Sequence, residues 1–259
     1  MQFENIEHRK NQGLAAINQI TSILSLTSLG HFHFEIALIL RDAILISKLV
    51  FNSEVWYNLS TKQIEKLEQI DEMFLRKILN VGKSSPKVGL YIECGKIPIR
   101  FIVKMRRIFY LWHILTRESH ELISKFYKVQ KYSPSEGDWA LQIRKDMADI
   151  KLNLSEADIS SMSHYKFKKL VKHKVKQCAI SYLEASKKQK SMKLNIQTFE
   201  PQDYITSKFL SITEVQNLFK IRNSMVDVKE NVKSSHENMS CTLCFDPINR
   251  NNTCWTALK

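Results

Sequence analysis

The chain has 259 residues, of which 44% are hydrophobic and 25% charged, with only six glycines and five prolines. This composition excludes a disordered or low-complexity chain and leaves too few turn-formers for a many-stranded β architecture. The net charge of +13 favours an anionic partner, nucleic acid ahead of an acidic membrane surface.

Residues 4–12 are polar. From Leu14 to Leu29 apolar residues recur with a helical period, and Gly30 is placed to cap that helix. His31–Asn52 reads as a second helix, apolar on most sides and therefore central. Its richest run, Ile36–Phe51, is interrupted by Arg41, Asp42 and Lys48 and is too short to span a bilayer. Ser60-Thr-Lys-Gln63 is a capping box that opens a helix through Ile64, Leu67, Ile70, Phe74, Leu75 and Ile78. Val88–Glu93 reads as a short helix. Ile99–Thr116 is strongly periodic, with Arg100, Lys104, Arg106 and Arg107 as a basic edge. Ser119–Lys131 follows as a helix.

The turn cluster Tyr132-Ser-Pro-Ser-Glu-Gly137 suggests a boundary. Asp138 is placed to cap a helix to about Lys151, and Ser155-Glu-Ala-Asp158 is a further capping signal. His164–Ser186 is a lysine-rich helix, 187–199 reads as a linker, and Ser211-Ile-Thr-Glu214 opens another helix. The expectation is an all-α protein with a helical, thumb-like bundle over 1–131, a basic helical connector over 138–228 and a tail over 229–259.

The charge is concentrated. Between Ser161 and Lys193 there are ten lysines and one acid, Glu184. On the expected helix, Phe167, Leu170, Val171, Val175, Cys178 and Tyr182 form one face. Lys166, Lys169, Lys172 and Lys176 then point outward, with Lys168 and Lys174 along the edges. These six lysines, together with Arg106 and Arg107, are the candidate nucleic-acid-binding residues. Lysine is a flexible point charge, which suits phosphate tracking rather than base reading.

Other chemistry has weaker support. A phosphate-binding loop ending in Gly82-Lys83-Ser84 would need glycine at position 77, which is Lys77. His31 and His33 are two residues apart, so a helix sends them to different sides. Cys94 and Cys178 sit among apolar neighbours, as structural thiols do. Glu54, Glu93 and Asp138 stand beside aromatics, but nothing pairs them for acid–base work. No Asp-Asp dipeptide occurs, so the close carboxylates of a two-metal polymerase site are missing from the sequence. No catalytic residue is assigned.

Cys241-Thr-Leu-Cys244 has the spacing that brings two sulfurs onto one zinc ion. No cofactor is expected unless Cys254 and His236 complete the tetrahedron around zinc; otherwise Cys241 and Cys244 are two free cysteines. Five unevenly spaced cysteines and no visible signal peptide point to a reducing, intracellular setting, cytoplasm or nucleus.

Several short strings, in order, resemble the region after the polymerase palm in non-LTR retrotransposon reverse transcriptases of animals. They begin with Asn5-Ile-Glu-His-Arg9 and Ile17-Asn-Gln-Ile20, then Leu40-Arg41 and Asn52-Ser-Glu-Val-Trp56. Leu67-Glu-Gln-Ile-Asp-Glu72 and Leu75-Arg-Lys-Ile78 follow, then Tyr91-Ile-Glu93 and Ile97-Pro-Ile-Arg100. Leu122-Ile-Ser-Lys-Phe126, Gly137-Asp-Trp139 and Cys241-x-x-Cys244 complete the series. The resemblance covers nearly the whole chain to Cys244 and ends after Phe245, where Asp246–Thr253 departs from the family pattern.

The resemblance implies a helical thumb and connector ahead of a zinc knuckle, gripping RNA or an RNA–DNA hybrid through its backbone. The catalytic aspartates of that family lie upstream, so the segment would be catalytically silent alone. The alternative is a helical protein-interaction or structural module whose lysines are only a solvated face. No membrane partner is expected, and the sequence does not define an oligomeric state.

Overall fold

The computed structural model describes residues 2–26, 30, 33–118, 120–133, 135, 137–186, 199–223 and 225. Among these residues the protein is all-α, with no sheet and one isolated antiparallel bridge between Cys94 and Pro201. No helix among them is long and apolar enough to cross a membrane.

Helix α1 (Gln2–Leu26) starts a dozen residues before its strongest apolar repeat. Ile6 is buried and anchors the early turns. Glu7 then bonds Lys10 at 3.2 Å and Lys66 at 2.5 Å, which ties the polar stretch to a later helix. The second apolar segment is one continuous rod: α2 (His33–Leu40), a π-helical turn (Arg41–Ile46) and α3 (Ser47–Leu49). A 3-10 turn at Ser53–Val55 follows.

Helix α4 (Thr61–Leu79) carries the expected capping box, with Ser60 Oγ accepting from Gln63 N and Gln63 Oε1 accepting from Ser60 N. Its inner face mixes Leu67, Ile70, Phe74, Leu75 and Ile78 with three buried carboxylates, Glu68, Asp71 and Glu72. Buried carboxylates must be paired, and each of these is. Asp71 receives Arg41 Nε at 2.7 Å and Nη2 at 2.5 Å. Glu68 receives Arg100 through two bonds of 2.8 and 2.7 Å, and Glu72 meets Arg76 and Lys87.

After α5 (Lys87–Glu93) comes α6 (Ile99–Leu115), the axis of the molecule. It packs against α4, the 3-10 turn, α7 (Leu122–Tyr132), α8 (Trp139–Asp149), α9 (Glu156–Ser161) and α10 (His164–Ala185). The last described helix, α11 (Ile212–Arg222), returns to the first half. Gln216 Nε2 donates to Ile78 O at 3.0 Å, and Arg222 Nε lies 3.1 Å from both Glu93 oxygens.

The expected division at 132–137 therefore does not separate two cores. Buried residues from Ile6 to Phe219 form one cluster. The reason lies in α6, whose buried Ile99, Phe101, Val103, Arg107, Ile108, Leu111 and Ile114 are spread around the helix. One bundle on one side could not cover them, so helices from both halves do. The tail over 229–259 lies outside the described residues.

Candidate nucleic-acid interface

Helix α10 is fixed at its start by Ser163, whose Oγ accepts from Lys166 N. Its fully buried ridge is Phe167, Val171, Val175, Ala179 and Leu183, a strict four-residue repeat against the core. Leu170 and Cys178, expected on that face, are only half-buried, and Tyr182 is exposed at its margin. Small Ala179 carries little apolar signal in sequence, yet it is fully buried and continues the ridge to Leu183.

Aromatic contacts lock α10 along α6. Trp112 and His164 stack with centroids 4.5 Å apart, and Trp112 Nε1 donates to Met162 O at 3.1 Å. Phe101 meets Tyr182 edge-on at 5.6 Å. The Arg100 guanidinium lies over the Tyr182 ring, 4.6 Å from its centroid.

The opposite face is cationic. Lys166, Lys169, Lys172 and Lys176 are exposed, and Lys168 and Lys174 are half-buried at the edges. Lys168 Nζ lies 5.6 Å from the Phe109 ring centroid. Among the described residues none of the six lysines makes an ion pair. Lysines 166 to 176 cover about 15 Å of helix axis. A single nucleic-acid strand in a duplex carries a phosphate every 3.4 Å or so, so about four phosphates match four outward lysines.

Two residues on this face escaped the sequence reading. Tyr165 is 74% exposed, and at spacings of four, seven and eleven it lines up with Lys169, Lys172 and Lys176. His173 is exposed between them. The same helical spacing that placed the lysines also places these rings.

Arg106 and Arg107 do not join the interface. Arg107 is buried, with Nε 2.6 Å and Nη2 3.0 Å from the two Asp146 oxygens, and its Nη1 donates to Trp56 O at 3.1 Å. Arg106 is half-buried and donates to Val50 O at 3.0 Å. The rest of the expected basic edge is also engaged, Arg100 by Glu68 and Lys104 by Asp149. A periodic row of arginines in sequence does not reveal that carboxylates from other helices will cover it.

The remaining candidates are dispersed. Glu93 pairs with Arg222, and its burial raises its pKa against the opposing pull of that arginine. Asp138 accepts from Ser135 N at 2.7 Å. His33 stands edge-on to Phe34, with its pKa lowered by burial. Cys94 is fully buried. Among the described residues no group of three or more His, Cys, Asp or Glu could hold a metal ion. Cys241, Cys244, Cys254 and His236 lie outside the described residues, as do the lysines beyond Ser186 in the basic window.

No protein-family model, curated protein or solved structure matches the chain.

Proposed function

We propose that this protein is a nucleic-acid-binding helical module with no catalysis of its own. It grips RNA or an RNA–DNA hybrid through the phosphate backbone, as the thumb and connector of a non-LTR retroelement reverse transcriptase would. One observation carries the reading. Arg41, Arg76, Arg100, Arg107 and Arg222 are all neutralised by carboxylates, whereas Lys166, Lys169, Lys172 and Lys176 stand in one exposed row without an acidic partner among the described residues. The resemblance in sequence order supplies the narrower retroelement reading.

Each lysine that meets a phosphate releases condensed counterions, so affinity falls by roughly 0.7–0.9 log units per log unit of salt for each contact. Point charges on flexible stems fix register without reading bases. Tyr165 adds a π-face on which an unpaired base can stack, a contact worth about 1–3 kcal/mol and indifferent to sequence.

The test is a salt titration of binding to a single-stranded RNA, an RNA–DNA hybrid and a DNA duplex. Changing Lys166, Lys169, Lys172 and Lys176 to Gln is expected to flatten the log–log slope by about two to four units. Tyr165→Ala is expected to weaken single-strand binding while leaving the slope unchanged. A quadruple variant with parental affinity and slope would show that the lysines are only solvated surface.

A further inference from the structure

Helix α7 leaves an apolar ridge uncovered. Leu122, Phe126, Val129 and Tyr132 are 79%, 64%, 67% and 78% exposed, at spacings of four and seven that put the first three on one helical stripe. Beneath the helix, Ser124 and Tyr127 are buried, so α7 is firmly seated by its other side. Tyr127 meets Trp139 edge-on at 6.1 Å and donates to Glu156 at 2.8 Å. The ridge is therefore a fixed feature presented outward. Single exposed apolar residues are ordinary on a protein surface, but a contiguous row marks an interaction site.

Two further observations define what fits it. Tyr132 ends the ridge and also lines a pocket of about 220 Å³ with mixed walls, apolar at Ile114 and Leu115 and charged at Lys128, Lys131 and Glu156. The unpaired charge beside the ridge is basic, because Glu121 at the start of α7 pairs with Arg117 and Glu156 pairs with Lys131. Helix α7 contains three lysines and no acid. Lys125 and Lys128 are exposed and unpaired among the described residues, while Lys131 is held by Glu156 at 2.8 Å.

We propose that the α7 ridge docks an amphipathic helix of another protein, whose apolar side chains lie along Leu122, Phe126 and Val129 and whose flanking carboxylates meet Lys125 and Lys128. An amphipathic helix presents its apolar anchors at helical spacing, which matches the spacing of Leu122, Phe126 and Val129. A second copy docked α7 against α7 is disfavoured, since it would set Lys125 and Lys128 of each copy against like charges. A bilayer is disfavoured because the stripe is one side chain wide, with Leu122, Phe126 and Val129 its only residues on one line. This surface is independent of the α10 lysines, and the two readings stand or fall separately.

The experiment is a selection of displayed 16-residue helical peptides on the full chain, with counter-selection on the Phe126→Asp variant. Phe126 is exposed, so this variant is expected to keep the parental circular dichroism and the parental RNA affinity and salt slope. Recovered peptides are expected to carry apolar residues three and four apart beside Asp or Glu. Their affinity is expected to drop at least tenfold on Phe126→Asp and on the Lys125→Glu, Lys128→Glu pair. In a second arm, vesicles of phosphatidylcholine with phosphatidylserine are expected not to retain the protein through α7. The proposal is overturned if no peptide distinguishes parent from Phe126→Asp, if the recovered peptides lack acids, or if Phe126→Asp abolishes vesicle binding.

Discussion

Arg107 and Asp146 form a two-bond ion pair, at 2.6 and 3.0 Å, that joins α6 to α8 with both side chains almost completely buried. Removing one member of such a pair strands a charge in a low-dielectric interior, which costs about 3–5 kcal/mol. Asp146→Ala is therefore expected to lower the urea midpoint of the whole molecule, since α6 contacts helices from both halves. Replacing both members with Met is expected to cost far less. A loss below about 1 kcal/mol for the single change would show that Arg107 finds water or another acceptor.

Two glycines, Gly89 within α5 and Gly95 just after it, admit the C-terminal segments by different means. A Cβ at Gly89 would lie 1.8 Å from Asn223 Oδ1, a side-chain atom. A Cβ at Gly95, where φ is +61°, would lie 2.3 Å from Glu200 C and Pro201 N, which are backbone. Overpacking of this kind typically costs 1–3 kcal/mol or so. Gly89→Ala is expected to destabilise and to be rescued in part by Asn223→Ala. Gly95→Ala is expected to resist rescue by any side-chain trimming, because the clash is with the main chain and the left-handed backbone adds strain. Equal rescue of both in thermal melts would refute the distinction.

How much of this was readable in the sequence depends on the range of the interaction. The capping boxes at Ser60, Ser155 and Ser211 all form, because a cap is settled within four residues. Helix α10 also keeps its outward lysines where spacing put them, since helical geometry alone fixes which residues share a face. The failures are long-range. Polar residues 4–12 join α1, where Ile6 is buried in the core. Arg106 and Arg107 leave the surface because Val50, Trp56 and Asp146 come to meet them. Pairing between an arginine and a distant carboxylate leaves no period in the chain. Its one trace was Glu68, Asp71 and Glu72 lying inside the apolar stripe of α4.

Burial pushes the Cys94 thiol up to about 12. In the unfolded chain the thiol ionises near the usual 8.5, so the folded state holds its proton longer. The corresponding stability is complete below about pH 8.5 and is lost as pH rises through 12. Unfolding free energy is expected to decline across that alkaline range, with a shallower decline in Cys94→Ala. Alkylation followed by peptide mapping is expected to label half-buried Cys178 well before Cys94 in the native protein. Equal labelling rates at neutral pH would mean that Cys94 is not sealed in the core.

The α10 lysines should weaken the helix they decorate. Lys166, Lys169, Lys172 and Lys176 follow one another at steps of three, three and four, and like charges at these spacings repel by about 0.2–0.5 kcal/mol per pair. Three adjacent pairs give a strain on the order of 1 kcal/mol, largest at low ionic strength because salt screens exposed charges. The protein is therefore expected to melt at a higher temperature as salt is added. The quadruple Gln variant is expected to begin more stable than the parent in low salt and to respond less to it, while binding nucleic acid more weakly. A bound anionic strand relieves the same repulsion, so a short RNA added in low salt is expected to raise the parent's melting temperature and barely move the variant's. If the variant instead melts lower than the parent, the lysines support the fold and are not held in readiness for phosphates.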